Sequence, residues 1–226
     1  MKPLSPLSTL EQAILQCEQC PRLRSHCQKI AHIKKRSFQK DSYWGKPVSG
    51  FGAPKAQLFI LGLAPAAHGA NRTGRVFTGD RSGEWLYRAL HKAGFANQAQ
   101  SIGPGDDLQL RNAYISCVVK CAPPGNKPTP QEILNCTPFL TSELKALSSV
   151  TVYLALGQLA YETLWRLLKS GVKRPPFQHG LTLELDAGKT LLLSYHPSQQ
   201  NTFTGKLTEP MFDSVFQKAQ ARIRSS

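Results

Sequence analysis

Acidic residues are scarce in this chain of 226 residues: 14 aspartates and glutamates stand against 28 lysines and arginines, a formal net charge of +14. This excess favours a polyanionic partner, with nucleic acid first and an anionic membrane surface second. No apolar run approaches the length of a transmembrane helix, and the N-terminus lacks the apolar segment of a signal peptide. We therefore expect a soluble, cytoplasmic protein without membrane contact.

Several enzyme signatures are also missing. The chain has no G-x-x-x-x-G-K-[ST], no G-x-S-x-G and no complete G-x-G-x-x-G after a strand, which argues against a nucleotide-binding enzyme or a small-molecule hydrolase. Internal repeats, coiled-coil heptads and low-complexity tracts are absent as well. We expect a single domain over residues 1–226, with residues 1–56 as an N-terminal arm packed onto its side.

Short apolar runs alternate with amphipathic ones along the remainder. The runs predict strands near 57–62, 113–119, 150–156 and 190–195, and helices near 82–93, 130–147, 158–169 and 208–224. The apolar strands do not alternate with polar residues, which is typical of a parallel sheet covered on both faces. Residues 181–185 do alternate and predict an edge strand or half a hairpin. A further helix is expected from Leu7 to about Gln19, capped by Ser8 or Thr9.

The longest loop follows the first strand and reads GLAPAAHGANRTGRVFTGDRSG, from Gly62 to Gly83. Ligands bind at the carboxyl ends of strands in α/β sheets, and a βα connection this long and polar is usually functional. The alternative is a decorated surface loop. Its candidate residues are His68, Asn71, Arg72, Arg75, Phe77 and Asp80.

Two more strand ends carry candidates. His196 follows the last strand directly, and Pro197 ends that strand and sets a turn. After the second strand, Pro123-Pro124-Gly125 forms a rigid turn that projects Asn126, whose amide suits reading the edge of a base. Asn126 is also a residue type that simply closes turns. The carboxyl ends of parallel strands meet at one edge, so we expect these residues to lie together.

Six cysteines are present in a chain that we expect in a reducing compartment, so disulfides are not expected. The C-x2-C pair Cys17 and Cys20, with the distant Cys121 and Cys136, suggests a four-thiolate site. Spacing alone does not separate zinc from a [4Fe-4S] cluster, or either from unliganded thiols. Cys117, inside a strand, is expected to be a small buried hydrophobe. Cys27 is either a spare surface thiol or a competing ligand.

The N-terminal arm contains an uninterrupted basic segment at residues 22–40. It contains seven cations and no carboxylate: Arg22, Arg24, Lys29, Lys34, Lys35, Arg36 and Lys40. A solvated loop is one interpretation. Seven cations without acidic neighbours favour an arm that faces phosphates.

The motifs GLAPAAHGANRTGRVFTGDRSG, VVKCAPPGNKPTP and HPSQQNTFTGKLT together resemble the uracil-DNA glycosylase superfamily. They most resemble its family 5, which is related to the iron–sulfur family 4. The resemblance implies a three-layer α/β/α sandwich with a short, mainly parallel central sheet. It implies a [4Fe-4S] cluster held by Cys17, Cys20, Cys121 and Cys136, with a structural role. The implied partner is duplex DNA containing deaminated bases, and the implied protein is a nucleoid-associated monomer.

The resemblance also implies roles for the candidates. Phe77 would stack on a base flipped out of the duplex, and Asn126 would bind its Watson–Crick edge. His196 would donate a hydrogen bond to the departing base, while Asp80 would orient water or stabilise the cationic sugar. No lysine stands at a motif position as an obvious Schiff-base nucleophile, which predicts a monofunctional hydrolase that leaves an abasic site. Ala64 and His68 complete the expected base pocket. The expected DNA contacts are Arg72, Arg75, Ser198, Gln199, Gln200, Asn201 and Lys206.

Two departures from family 4 refine this expectation. Leu63 stands where family 4 has an acidic residue, which predicts weaker water activation and a broader pocket that accepts hypoxanthine and modified uracils as well as uracil. Gln199 and Gln200 are polar where an apolar wedge would be expected, so either Phe203 wedges into the duplex or Gln200 fills the gap by hydrogen bonds. The competing hypothesis is a non-enzymatic nucleic-acid-binding protein with a metal-stabilised arm.

Overall fold

A six-stranded sheet forms the centre of the protein in a computed structural model that describes residues 5–169 and 171–225. The strands are β1 Phe51–Gly52, β2 Leu58–Gly62, β3 Ala113–Cys117, β4 Val152–Leu156, β5 Thr182–Glu184 and β6 Thr190–Ser194. Their order is β1-β3-β2-β4-β6-β5. The four inner strands are parallel, and both edge strands are antiparallel to their neighbours.

Eight α-helices surround or flank this sheet within the described residues. They are α1 Pro6–Leu15, α2 Pro21–Ile33, α3 Ala70–Thr73, α4 Arg81–Lys92, α5 Pro130–Ala146, α6 Gln158–Leu168, α7 Gln199–Phe203 and α8 Glu209–Arg224. None of the described helices has the length and apolarity needed to cross a membrane.

The two faces of the sheet pack into separate apolar cores. Because successive side chains of a strand point to opposite faces, Ile60 of β2 lies in one core while Phe59 and Leu61 lie in the other. Helices α4 and α8 cover the first face, and α5 and α6 cover the second. The inner strands are buried at every position. The expected three-layer α/β/α sandwich with a mainly parallel sheet is therefore confirmed.

The structure corrects two local predictions and settles a third that the sequence left open. Helix α1 is capped by Ser5, whose Oγ accepts the Ser8 N–H at 3.1 Å, so it begins before Ser8 and ends at Leu15 rather than near Gln19. Much of the basic segment is helix α2 rather than a loop. The alternating run becomes the edge strand β5, paired antiparallel with β6.

The arm, residues 5–56 of the described chain, contributes Val48 and Ala56 to the two large cores and meets the sandwich again through a small third cluster. Leu23 and Cys27 of α2 are fully buried there beside Cys121. Arg22 adds a two-pronged ion pair to Glu132, with both N–O distances 2.7 Å. Glu132 also accepts the Thr129 N–H in the capping box that starts α5. One carboxylate thus fixes both the arm and the N-terminus of α5.

Candidate functional site

A cavity of about 850 Å³ opens at the carboxyl edge of the parallel strands. It is lined from the loops after β2, β3 and β6, as expected for the ligand side of an α/β sheet. The predicted site residues that line it are Ala64, His68, Phe77, Asp80, Asn126, His196, Ser198, Gln199 and Gln200. Arg72, Arg75, Asn201 and Lys206 do not line it. The three sequence motifs therefore converge on one site.

Phe77 is held against the end of β2 by close backbone packing. Its ring leaves no room for a side chain at Gly62, where an added Cβ would lie 2.5 Å from the Phe77 Cζ. Its carbonyl lies closer still to Gly83 near the start of α4, where an added Cβ would collide with the oxygen. The φ of Phe77 is 51°, a left-handed conformation that is strained for a bulky residue. The surroundings therefore impose the position of this ring.

His196 shares a wall of the cavity with Phe77. The two rings are stacked, with centroids 5.7 Å apart and planes 28° from parallel. Asn201 supports the backbone here, because its Nδ2 donates to the His196 carbonyl at 2.8 Å. Burial lowers the pKa of His196 to about 4. The imidazole is therefore neutral near pH 7 and offers one N–H donor.

Asp80 has two roles in the structure. Its Oδ1 accepts the Gly83 N–H at 2.9 Å and caps α4. Its Oδ2 packs against Gly69, where an added Cβ would collide with it. Burial raises the pKa of the carboxyl, although the N–H groups of Ser82 and Gly83 act in the opposite direction. The cap holds the carboxylate in place at the cavity wall.

Asn126 lies at the exposed rim of the cavity. It ends the 3₁₀ turn Pro124–Asn126 with a φ of 57°, and its N–H donates to the Pro123 carbonyl at 3.1 Å. The backbone therefore closes a turn while the side chain faces the site. The turn predicted at this residue is confirmed, and its contact with the edge of a base stays a prediction.

Two arginines predicted to contact DNA are engaged inside the protein. Arg75 is buried and forms a two-pronged ion pair with Asp106, and its Nε donates to Thr78 at 3.1 Å. Arg72 donates to Asp41, to the His68 carbonyl and to the Gly79 carbonyl. Their donors shape the loop, so we leave both residues out of the DNA surface proposed below.

The remaining predicted contacts lie around the mouth of the cavity. Ser198 caps α7 by accepting the Asn201 N–H at 3.3 Å. Gln199 and Gln200 are exposed on the first turn of that short helix. The Lys206 ammonium lies 4.7 Å from the centre of the Tyr195 ring. Lys206 is exposed as well, but of these exposed residues only the two glutamines line the cavity.

Sequence reasoning missed several lining residues. Lys35 and Phe38 come from the arm, and Arg81, Ser82 and Glu84 come from the start of α4. Lys35 belongs to the basic segment at residues 22–40, and the charge of that segment was the one signal in the sequence that pointed to it. The guanidinium of Arg81 also lies 4.8 Å over the ring of Phe203, which is 69 % exposed. No pattern in the sequence pairs Arg81 with Phe203, which lie 122 positions apart.

The predicted metal ligands lie at the junction of arm and sandwich. Cys20, Cys121 and Cys136 are buried and Cys17 is partly exposed. Cys27, expected as a surface thiol or competing ligand, is fully buried; its thiol contacts Cys121 and donates to the Ala122 carbonyl at 3.7 Å. Burial raises the pKa of Cys136 to about 11 and that of the strand residue Cys117 to about 12. Within the described ranges, no three His, Cys, Asp or Glu residues are arranged to hold one metal ion.

The chain matches the sequence profile of the "Uracil DNA glycosylase superfamily" over residues 49–220. It is 50 % identical over 213 residues to a type-5 uracil-DNA glycosylase of Mycobacterium bovis, covering 93 % of this chain and 80 % of the relative. A type-5 enzyme of Thermus thermophilus is 47 % identical over 211 residues, covering 92 % and 94 % of the two chains. A type-4 uracil-DNA glycosylase of Pyrobaculum aerophilum is 28 % identical over 222 residues, covering 94 % and 90 %.

These similarities run through the same loops that line the cavity, and the type-5 relatives are nearer in sequence than the type-4 one. The profile covers the whole sheet, all three motif loops and most of α8. The chain therefore belongs to the uracil-DNA glycosylase superfamily.

Proposed function

We propose that the protein hydrolyses the N-glycosidic bond of uracil, and of hypoxanthine and modified uracils, in duplex DNA. The observation that carries this proposal is the convergence of Phe77, Asn126 and His196 on one cavity. The type-5 relatives are named for action on uracil in DNA. The wider substrate range rests on Leu63, an apolar lining residue at the start of the first motif.

The base would be bound by stacking and by its edge. A glycosylase must take its target out of the duplex, which costs a few kcal/mol of stacking and pairing. Stacking on an aromatic ring returns about 1–3 kcal/mol, and Phe77 supplies that ring. The Asn126 amide has donors and an acceptor and is free on the rim to read the Watson–Crick edge. Ala64 leaves space beside them.

His196 would stabilise the departing base. As the glycosidic bond breaks, negative charge develops on the base and positive charge on the sugar. A neutral imidazole whose N–H faces the base oxygen stabilises that negative charge, as an oxyanion-hole donor does. The ring is suited to this because Phe77 stacks on it and Asn201 fixes its backbone.

Asp80 would act on the sugar side. Its cap to α4 leaves Oδ2 as the oxygen available to orient water or to face the cationic sugar. Water then forms the new bond to the sugar carbon, the base leaves with the bonding electrons, and an abasic site remains. Lys35 is the one lysine among the described lining residues, and it belongs to the arm rather than to a motif loop. We therefore propose hydrolysis without a covalent lysine intermediate.

The surface that holds the duplex would surround the mouth of the cavity. Gln199 and Gln200 are exposed on α7, and Phe203 projects beside Arg81. An exposed aromatic ring backed by a cation is suited to insertion between base pairs, and the glutamines can hydrogen-bond the bases left behind. Behind this segment, Ser198 caps α7 and Asn201 donates to the His196 carbonyl. The Lys206 ammonium lies over the Tyr195 ring.

We further propose that Cys17, Cys20, Cys121 and Cys136 hold a [4Fe-4S] cluster. The donor set fits: four thiols from two distant segments meet at a largely buried junction, and Asn135 Nδ2 lies 3.5 Å from the Cys20 Sγ. When bound, the cluster would supply a covalent link between the arm and the sandwich.

Glycosylase assays test this proposal. Duplexes with one uracil or one hypoxanthine are incubated with protein, and abasic sites are then cleaved with alkali. Asp80→Ala and His196→Ala should abolish cleavage while leaving DNA affinity intact, and the exposed Lys145→Ala on α5 should match the wild type. Borohydride should trap no covalent adduct. Cleavage that survives in both active-site variants would overturn the assigned roles.

The cluster is tested separately. Purified protein should contain four iron and four sulfide per chain and absorb visible light, and Cys20→Ser should lose both. An iron-free protein whose sandwich is fully folded and whose arm is ordered would overturn the structural role of the cluster.

A further inference from the structure

One wall of the cavity takes no part in the chemistry described above. It is formed by Lys35 and Phe38 of the arm and by His68 of the long loop. Tyr43 and Arg72 lie behind it. This wall brings a cation, Lys35, together with an imidazole ring, His68, at the edge of the cavity.

The orientation of His68 is set by Tyr43. The Tyr43 Oη lies 2.9 Å from the His68 Nδ1, and the rings meet edge to face at 85°. The same Oη accepts the Lys35 backbone N–H at 3.4 Å. Its single hydrogen can then be donated to Nδ1, which is the arrangement we adopt. An uncharged imidazole that accepts at Nδ1 carries its proton on Nε2, the other ring nitrogen.

The surroundings keep that imidazole uncharged. Burial, together with the charges of Lys35 and Arg72, lowers the pKa of His68. Arg72 is held by Asp41, with an N–O distance of 2.7 Å, and stacks on Phe38 at 3.9 Å. Lys35 is exposed and has no carboxylate partner in the part of the chain that the structure describes. The wall thus carries one uncompensated positive charge.

We propose that His68 and Lys35 form an anion-binding corner that holds a phosphate of the DNA backbone beside the extrahelical nucleotide, with Tyr43 as the positioning residue. An N–H donor and an ammonium on one wall match the charge and the acceptor oxygens of a phosphate. The corner would anchor the strand whose base enters the cavity. This inference rests on the assignment of the cavity to the DNA substrate.

Binding to an uncleavable duplex tests the corner. The probe is a duplex with a tetrahydrofuran abasic-site analogue, titrated by fluorescence anisotropy at several salt concentrations. We expect Tyr43→Phe, His68→Gln and Lys35→Ala each to weaken binding roughly three- to tenfold, as hydrogen bonds to charged groups do. Lys35→Ala should also reduce the salt slope by about 1, and Lys35→Arg should restore it. Lys145→Ala is the matched control and should change neither quantity.

A double variant tests the positioning role. If Tyr43 acts only through His68, Tyr43→Phe combined with His68→Gln should bind no more weakly than His68→Gln alone. Because a phosphate contact carries no base information, single-turnover rates on uracil and on hypoxanthine should fall by the same factor. Thermal melting verifies that each variant is folded.

Two outcomes would overturn the corner while leaving the glycosylase intact. Wild-type affinity in all three variants would show that no phosphate is held there. A changed preference between uracil and hypoxanthine at unchanged affinity would show that His68 reads the base instead. A wild-type protein that fails to bind or cleave damaged DNA would overturn the proposed function itself.

Discussion

The sandwich and the arm differ in the interactions that stabilise each of them. Two large apolar cores enclose the sheet, and fully buried side chains such as Phe59 and Phe212 fill them. In the arm, Leu23 and Cys27 belong to a small separate cluster, Val48 and Ala56 join the two large cores, and Arg22 adds a polar tie to Glu132. Large apolar cores can sustain a domain on their own, whereas a cluster as small as that of α2 needs reinforcement by other contacts. We therefore expect the contact of α2 with the sandwich to open more easily than the two large cores.

Truncation in the core should have the largest effect on this comparison. Phe212 is fully buried and packs on Trp85 and Phe216. We expect Phe212→Ala to lower the free energy of unfolding by about 3–5 kcal/mol, because it leaves a cavity. Chemical denaturation followed by circular dichroism measures the change. The exposed Phe203→Ala is the control, with an expected change within about 0.5 kcal/mol; equal losses would contradict the assigned cores.

A buried ion pair next to the junction comes second. Lys120 and Glu143 are 2 % and 1 % exposed, with an N–O distance of 2.7 Å, and Ser116 donates to the same carboxylate oxygen. Removing one charge by Lys120→Met should destabilise the protein by about 3 kcal/mol, because Glu143 is then buried alone. Adding Glu143→Leu should recover most of the loss in denaturant titrations.

The exposed pair Lys169 and Asp186 serves as the comparison for that ion pair. Its carboxylate is 83 % exposed, so Asp186→Ala should cost less than about 1 kcal/mol. A loss of stability as large as that of Lys120→Met would show that burial does not determine how much each ion pair contributes to the free energy of unfolding.

Acid should weaken the sandwich through His196. Its pKa is about 4 in the folded protein and about 6.5 in an unfolded chain, so the unfolded state binds more protons between these values. Stability from this group is present above pH 6.5 and is lost as the pH falls towards 4. We expect the melting temperature of the wild type to drop several degrees more than that of His196→Asn over this range. The raised pKa of Asp80 acts in the opposite direction in both proteins. Parallel curves would contradict the burial of the ring.

The smallest expected effect concerns the arm. Arg22 is 44 % exposed in its side chain, so Arg22→Ala should reduce global stability only slightly, because exposed ion pairs contribute little. Hydrogen exchange should nevertheless increase in α2, while the amides of β2 and β4 remain protected. Arg22→Lys keeps the charge but not the two-pronged geometry, so its exchange rates in α2 should lie between those of the wild type and Arg22→Ala. Uniform deprotection of arm and sheet would show that the two regions open as one unit.

Much of this architecture could be predicted from local patterns. Apolar runs located every inner strand to within two residues, because a parallel strand buried on both faces leaves an uninterrupted signal. The convergence of Phe77, Asn126 and His196 followed from the rule that parallel strands end at one edge. Those inferences needed no knowledge of side-chain contacts.

Long-range polar pairing could not be predicted in this way. Arg75 looked like a DNA contact because its partner, Asp106, lies 31 residues away in another loop. The contact of Tyr43 with His68 crosses from the arm to a motif loop, and nothing in either segment signals the other. Cys27 sits in a basic segment that suggested a surface, yet helix α2 turns it inward. Each case depends on packing that periodicity does not encode.

The edges of the sheet bear on how the protein behaves at high concentration. β1 has two residues and β5 has three, and both are antiparallel additions to a parallel centre. A foreign strand would find only a very short row of free backbone groups at either end, too few to seed edge-to-edge pairing. Aggregation of this protein should therefore require prior opening of a core, so its shelf life is set by the unfolding rate rather than by the native surface.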